Sequence, residues 1–394
     1  MRIVHFNCGA PYYAKLPFQY DLHQIHIVNE LRDAGHEVLS IDPAAILNRF
    51  DTAEAYGEVT LAAVRKFQEE GGCDLFFSGA VDDTLDPETV REISRMGIPT
   101  VNLNFDDLSH PYRVRALMPA FDLVWTTVPE NMHLIRGYGA KKLIHMPFAA
   151  NPGAFRPVPV SGAEDRSVVF IGSCYGARFR SVCRLAQAGI PVTAMGQTPF
   201  TYYDEGKAPS PLKKALGSKA DGWKRAAESL SYASGRDCVR AALYRTVEAR
   251  IRDIPEKRPH EGPVTYAPGP RFEDMASIFG RTALSLGSLE LASTFVLKKP
   301  LLFIRLREFE VPMCGGIHFA NASPELMEYF EPDREMLFYA SPEEMIDKAR
   351  FYLDAARDTA RTEIRKAARA RAKRDHSWSV RFDRVVRELG IKGA

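Results

Sequence analysis

KPLLFIRLREFEVPMCGGIHFA, residues 299–320, reads as an apolar run, a short helix and a second apolar run entered through a double glycine. PLLFI is taken as a buried strand, Arg307 to Cys314 as the helix that follows it, and GGIHFA as the next strand. Two apolar runs joined by a helix are the signature of a parallel sheet. Arg307 and Glu310 stand three apart, on one face of that helix. Glu310 falls in its first two turns, where the helix dipole favours negative charge.

The same alternation extends toward both ends of the chain. RIVHF, HEVLSID, DLFFSG, TVNLNF, FDLVWTT and KKLIHMPF read as six strands. The helices between them include 21–35, ended by Gly35, one near 54–70, and one that starts at Pro87 and stops at Gly97. NPGAFRPVPVSGAEDR, 151–166, carries the prolines, glycines and polar residues of a connector. SVVFIG then begins a second sheet, continued by VTAMG, VTYA, TALSLG, KPLLFI, GGIHFA and MLFYAS. Between 201 and 262 the rhythm gives way to a Lys/Arg-rich, mostly helical insertion. The expected fold is therefore α/β, with two doubly wound, Rossmann-like parallel sheets. The units expected are 1–155, 156–375 with the insertion, and a C-terminal helix 376–394 that packs back toward the first unit. EEMIDKARFYLDAARD is expected to run on into the basic RTEIRKAARARAKRD, read as a helix with a solvated basic face that offers at most a weak membrane-surface contact.

Composition bounds the chemistry. The 394 residues carry a formal charge of only +2, so no global field draws the chain onto nucleic acid, and any anion must be held locally. Six cysteines with no CxxC pair, and no segment resembling a signal peptide, point to reduced thiols in the cytosol. No apolar run is long enough for a transmembrane helix. GxGxxG, GxSxG and HExxH are all missing, and the glycine run Gly217 to Gly222 is followed by Trp223 where a phosphate loop needs lysine. His23 and His26 have no third ligand beside them, so no metal and no resident cofactor are expected.

Three stretches carry candidate chemistry. IGSCYGARFR, 171–180, leaves a strand through Gly172 and Ser173 and opens a helix whose free N–H groups favour an anion, with Arg178 and Arg180 nearby. In RLREFEVPMCGG a carboxylate at Glu310 matches a vicinal diol, and a guanidinium at Arg307 matches a phosphate; a plain surface pair is the alternative for these two. NFDDLSH places Asp106 and Asp107 at the carboxyl end of a strand, where either is a candidate general base or, equally, a helix-capping turn residue.

The pattern RxFExPMCGG, the MLFYASPEEM step and the closing RDHSWSVRF resemble the C-terminal donor domain of CgeB-like glycosyltransferases, over roughly 165–390. LSHPYRVRALMPAFDLVWTT and LIHMPFAANPGAFRP carry a weaker likeness. The resemblance implies the GT-B fold, a nucleotide-sugar donor and a glycan, protein or small-molecule acceptor. It also implies that Glu310 binds the donor ribose, that Arg307 with Phe309 belongs to the same donor motif, and that Gly172 and Ser173 lie beside the phosphates. The loop around Gly269 then passes the base. Where many retaining members hold a second glutamate, seven residues before the first, this chain has Phe303. The expected activity is metal-independent glycosyl transfer, with Asp107 or Asp106 as base. A sugar-nucleotide epimerase on the same fold and a noncatalytic two-lobed sugar- or nucleotide-binding protein are the alternatives.

Overall fold

The computed structural model describes residues 1–7, 21–49, 51–105, 108, 110–159, 162–196, 227–251, 263–291 and 293–391, with the side chains of 245–251 excepted. The chain divides into two compact units, Met1–Ala154 with Arg374–Ala394, and Phe155–Lys373.

In the first unit β1 (Arg2–Phe6), β2 (Glu37–Ile41), β3 (Leu75–Ser78), β4 (Thr100–Asn104), β5 (Leu123–Thr126) and β6 (Leu143–His145) form one sheet in the order β2-β1-β3-β4-β5-β6. Every neighbouring pair is parallel. β3, β4 and β5 are buried along their whole length, as expected of strands covered on both faces by helices. The order reverses between β1 and β3, and in such sheets the crevice at the carboxyl ends of the reversing strands is the place for a ligand.

Sequence periodicity anticipates these strands and also the helix Pro87–Arg95, whose Asp86 accepts from the Glu88 and Thr89 amides. The first helix departs from expectation. It opens with a π-helical turn, His23–Val28, and becomes α-helical over Asn29–Asp33. At the far end of the unit, the helix Trp378–Leu389 is held by buried polar contacts. The carboxylate of Glu30 accepts from the Ser379 amide and hydroxyl at 2.7 and 2.8 Å and from the Trp378 amide at 3.2 Å, satisfying donors that a helix start leaves open. Arg381 donates to the carbonyls of Pro147, Phe148 and Asp375.

The second unit holds β7 (Asp165–Ile171), β8 (Val192–Met195), β9 (Val264–Ala267), β10 (Thr282–Leu286), β11 (His318–Asn321) and β12 (Leu337–Tyr339), all parallel, in the order β12-β11-β10-β7-β8-β9. Here the reversal falls between β7 and β10. The insertion lies in the crossover from β8 to β9; of it, the helix Ala233–Ile251 is described.

Three expectations are corrected. PLLFI adds no strand to the sheet, because its backbone pairs with the loop after β10: Leu302 makes a single antiparallel bridge to Glu290, the Phe303 amide donates to the Leu289 carbonyl and the Leu291 amide to that of Leu301, and 303–305 are irregular. The helix Pro342–Leu353 does not run on into the basic segment. Asp354 is extended (φ −63°, ψ 138°) and its side chain caps a fresh 3-10 turn, Ala355–Arg357, before the helix Asp358–Asp375.

That basic helix, finally, is solvated only in part: Lys366, Lys373 and Arg374 are exposed, whereas four arginines turn to internal partners. Arg361 is 0 % exposed, pairs with Glu164 and Asp358, and donates to the Tyr352 and Asp354 carbonyls. Arg365 pairs with Glu164 at 2.6 Å, Arg369 donates to the carbonyls of Met313 and Phe155, and Arg371 to those of Tyr329 and Glu328. The guanidinium groups serve the exposed carbonyl ends of neighbouring elements. Replacing Arg361 with Ala removes one of the two guanidinium partners of the half-buried Glu164 and the side-chain donor to the Tyr352 and Asp354 carbonyls, and is expected to lower the stability of the second unit by about 2–4 kcal/mol in urea unfolding. A loss below about 1 kcal/mol, the range of an exposed pair, contradicts the assignment.

Candidate functional site

The β7/β10 switch point is flanked by two loops. After β7, Gly172 adopts φ +144° and donates to Met195, while Gly196 (φ +126°) donates to Ala267, so the carboxyl ends of β7, β8 and β9 are stitched together by backbone. A Cβ on Gly196 would stand 2.3 Å from the Gly172 carbonyl oxygen. Glycine is required there by contact as well as by dihedral angle.

The helix Ala177–Gln187 begins at Gly176 (φ 58°) with no side-chain cap, the arrangement that leaves helix N–H groups available to an anion. Arg178 does not reach out from this loop. It donates to the Ser173 carbonyl at 3.0 Å and lies 5.3 Å from the ring centroid of Tyr175, and so braces the loop. Arg180 lies over Phe295 at 4.3 Å. Cys174 is buried beneath, which pushes its thiol up to about 12.

After β10, the loop 287–290 presents a carboxylate that local sequence patterns do not single out. Glu290 accepts from the Ser288 hydroxyl at 2.7 Å and from the Asn321 side-chain amide at 3.0 Å. The Leu289 amide donates to the Asn321 oxygen, the Tyr339 hydroxyl to the Gly287 carbonyl, and Arg305 to the Ser288 carbonyl. The available signal is an acidic residue just beyond the strand TALSLG.

Arg307 and Glu310 sit on the helix Arg307–Met313. Arg307 Nη1 is 2.7 Å from Glu310 Oε2, with the side chains 24 % and 2 % exposed, so this is not the surface pair that spacing alone allows. A carboxylate this enclosed carries a desolvation cost, met here by the guanidinium and the first helical turn. The Arg307 guanidinium also lies 5.4 Å from the Phe279 ring centroid.

Glu308 reaches back to accept from the Arg305 amide at 2.7 Å, and its other oxygen is 3.6 Å from Nε2 of the wholly buried His318. At the far end the Gly316 amide donates to Val311 and the Gly315 amide to Pro312, a Schellman close. The double glycine has two causes. Gly315 is left-handed (φ +75°), while Gly316 has no room, since a Cβ there would meet Val311 at 2.9 Å and Phe279 at 3.1 Å. Cys314 is buried beside this pair, and burial pushes its thiol up to about 12.

Phe309 does not belong to a ligand surface. It is 0 % exposed and packs against Tyr329 and Phe330, holding the helix in place. Phe303 is likewise buried at 5 % exposure. Gly269 is half-buried in the loop after β9. Asp106, Asp107, Gly217 to Gly222 and Trp223 lie outside the described residues. Among the described residues no group of three or more His, Cys, Asp or Glu is placed to hold a metal ion, and no helix is long and apolar enough to cross a membrane.

Comparison with solved structures bears on this arrangement. Sucrose-phosphate synthase from Thermosynechococcus elongatus is similar over 100 % of both chains at 13 % identity, with a TM-score of 0.53. An alpha-glucosyltransferase in complex with UDP is similar over 99 % of this chain and 100 % of its own, at 13 % identity and a TM-score of 0.58. Anabaena HepE in complex with UDP and glucose is similar over 99 % of both chains, at 13 % identity and a TM-score of 0.52. The fold is GT-B. Within this GT-B chain, residues 230–387 match the family model described as Glycosyl transferase-like, a span that contains Glu290, Arg307 and Glu310. No curated protein matches the chain significantly.

The contact at Gly196 gives a stability test. Gly189 is also left-handed (φ +77°), but a Cβ placed on it would have nothing within 4 Å, so Gly189→Ala incurs only dihedral strain, about 1 kcal/mol. Gly196→Ala adds a collision with backbone and is expected to cost about 2–3 kcal/mol more in thermal or urea unfolding. Equal losses for the two variants contradict the stitched-loop description.

Proposed function

We propose that this chain is a glycosyltransferase of the CgeB-like kind, moving a hexosyl group from a nucleoside diphosphate sugar to a hydroxyl-bearing acceptor. The observation that carries the reading is the Arg307–Glu310 pair, with its carboxylate enclosed, on the helix that leads into β11 of a Rossmann-like sheet and within the segment that matches the Glycosyl transferase-like model. A partly exposed guanidinium paired to a buried carboxylate is an exchangeable cation. On donor binding Arg307 passes from Glu310 to the diphosphate, and the carboxylate so released accepts both hydroxyls of the ribose.

The loop Gly172–Gly176 and the helix it opens take the other face of the diphosphate. Neutralising the departing diphosphate in this way is electrostatic catalysis by groups already in place. No metal is needed for it, and none is proposed. Asp107 or Asp106 remains the proposed base for the acceptor hydroxyl, and the cytosol the proposed compartment. Solved proteins of this fold hold UDP or UDP-glucose, which favours UDP as the nucleotide.

Thermal-shift titration with UDP, GDP, CMP and dTDP tests the reading, because a ligand at a hundred times its Kd stabilises by about 2.7 kcal/mol. UDP is expected to give the largest shift. Glu310→Gln is expected to weaken that nucleotide roughly tenfold to a hundredfold, the worth of a charge-assisted hydrogen bond, and Arg307→Ala to weaken it and flatten its salt dependence. Unchanged affinity in Glu310→Gln removes the ribose role, and no response to any nucleotide removes the donor site.

A further inference from the structure

The first unit contains a polar file that neither the fold nor the proposed donor chemistry requires. His5, on β1, and His23, in the π-helical turn, are both buried, and His5 Nε2 lies 3.1 Å from His23 Nδ1. His5 Nδ1 in turn lies 3.3 Å from the Ser40 hydroxyl on β2. The file stands where the strand order reverses between β1 and β3, at the carboxyl side of the sheet. Gly79, just beyond β3, presses against it: a Cβ there would stand 3.1 Å from His23 Cε1 and 2.8 Å from the Phe105 ring. Among the described residues, Nε2 of His23 has no hydrogen-bond partner. The π-helical turn that carries His23 is an energetically poorer helix, a feature that recurs where a side chain is re-aimed for function.

We propose that the His5–His23 pair is a binding site for a hydroxyl group of a sugar or other polyol, received on Nε2 of His23. The chemistry of the file selects the ligand. If Ser40 donates to His5, then His5 donates to His23 and Nε2 carries a proton to give; if the file runs the other way, Nε2 offers a lone pair. A hydroxyl, which both donates and accepts, satisfies either direction. An ammonium or a carboxylate satisfies only one.

The surroundings keep both rings neutral. Burial lowers His23 to about 4, with His26 adding to the effect and Asp21 opposing it, and burial together with His23 and Arg32 lowers His5. The rings of Phe105 and Phe77 wall the pair. His23 is thus a hydrogen-bonding group throughout the neutral range and does not become a cation. Asp21 is itself fixed by Asn7 and the Gln24 amide, which anchors the start of the turn. The proposal rests on the transferase reading only in taking the hydroxyl to belong to the acceptor.

The test is nitrogen NMR on the full chain labelled at histidine, with methyl α-D-glucopyranoside as the probe. The His23 resonances are expected to report a neutral ring in one tautomer between about pH 5 and 8, and to move on addition of the glucoside. His5→Phe breaks the file and is expected to free the tautomer and weaken the glucoside about tenfold; His23→Gln, which keeps a hydrogen-bonding group, is expected to weaken it less. His23 that protonates within that range, or resonances indifferent to the glucoside, overturns the proposal. UDP binding measured in the same samples separates the two readings. A response to glucoside without one to UDP leaves the hydroxyl site standing and removes the donor site, and the reverse removes the hydroxyl site alone.

Discussion

A carboxylate that is almost wholly enclosed and held 2.7 Å from the Arg307 guanidinium is the interaction on which this account depends. Taking Glu310 out of water costs several kcal/mol, and a pair of this kind adds little stability over apolar residues of the same size. The helix that bears it is only seven residues long, contains Pro312, and is kept in place from outside itself. Phe309 anchors it from beneath, the Schellman close at Gly315 and Gly316 ends it, and Arg369 reaches across to its last carbonyl, that of Met313. So much support for one short helix is the mark of a site whose geometry must not drift.

The arginines elsewhere follow the same economy. In the second unit Arg361, Arg365, Arg369 and Arg371 close the carbonyl ends of neighbouring elements, and in the first Arg381 does so for 147, 148 and 375. Guanidinium suits this work because its five donors can meet several carbonyls at once while its charge is partly offset by Glu164 and Asp358. A segment that looks like a basic surface in the sequence therefore turns four of its arginines inward and leaves Lys366, Lys373 and Arg374 to solvent.

Much of the fold was legible because parallel strands buried on both faces read as continuous apolar runs, and LFFS, TVNLN and LVWT could hardly be anything else. PLLFI deceived for the same reason. Phe303 and Ile304 are buried while the backbone of the segment pairs with 289–291 and not with the sheet, and apolarity alone does not report hydrogen-bond partners. The orientation of the arginine helix was illegible because it depends on a long-range partner, Glu164, which local periodicity does not encode, and the break at Asp354 was hidden because a single side-chain cap interrupts an otherwise continuous helical pattern. At the candidate site, the pairing of Arg307 with Glu310 and the glycine turn at Gly172 were legible from spacing and turn chemistry. Glu290 and His318 were not, since neither belongs to a local pattern; their partners lie some 10 to 30 residues away in sequence. Phe309 shares a motif with the proposed donor-binding residues Arg307 and Glu310, whereas its ring faces the core. The His5–His23 pair stays hidden from a search confined to i,i+3 neighbours, because the meaningful partner of His23 is on the strand before it.

The most direct measurement is a crystal structure with UDP bound. The account predicts both ribose hydroxyls on the Glu310 carboxylate, the diphosphate against the Gly172–Gly176 loop, and Arg307 turned from Glu310 to a phosphate oxygen. UDP seated elsewhere, or bound while Arg307 stays on Glu310 and the ribose touches neither, contradicts it.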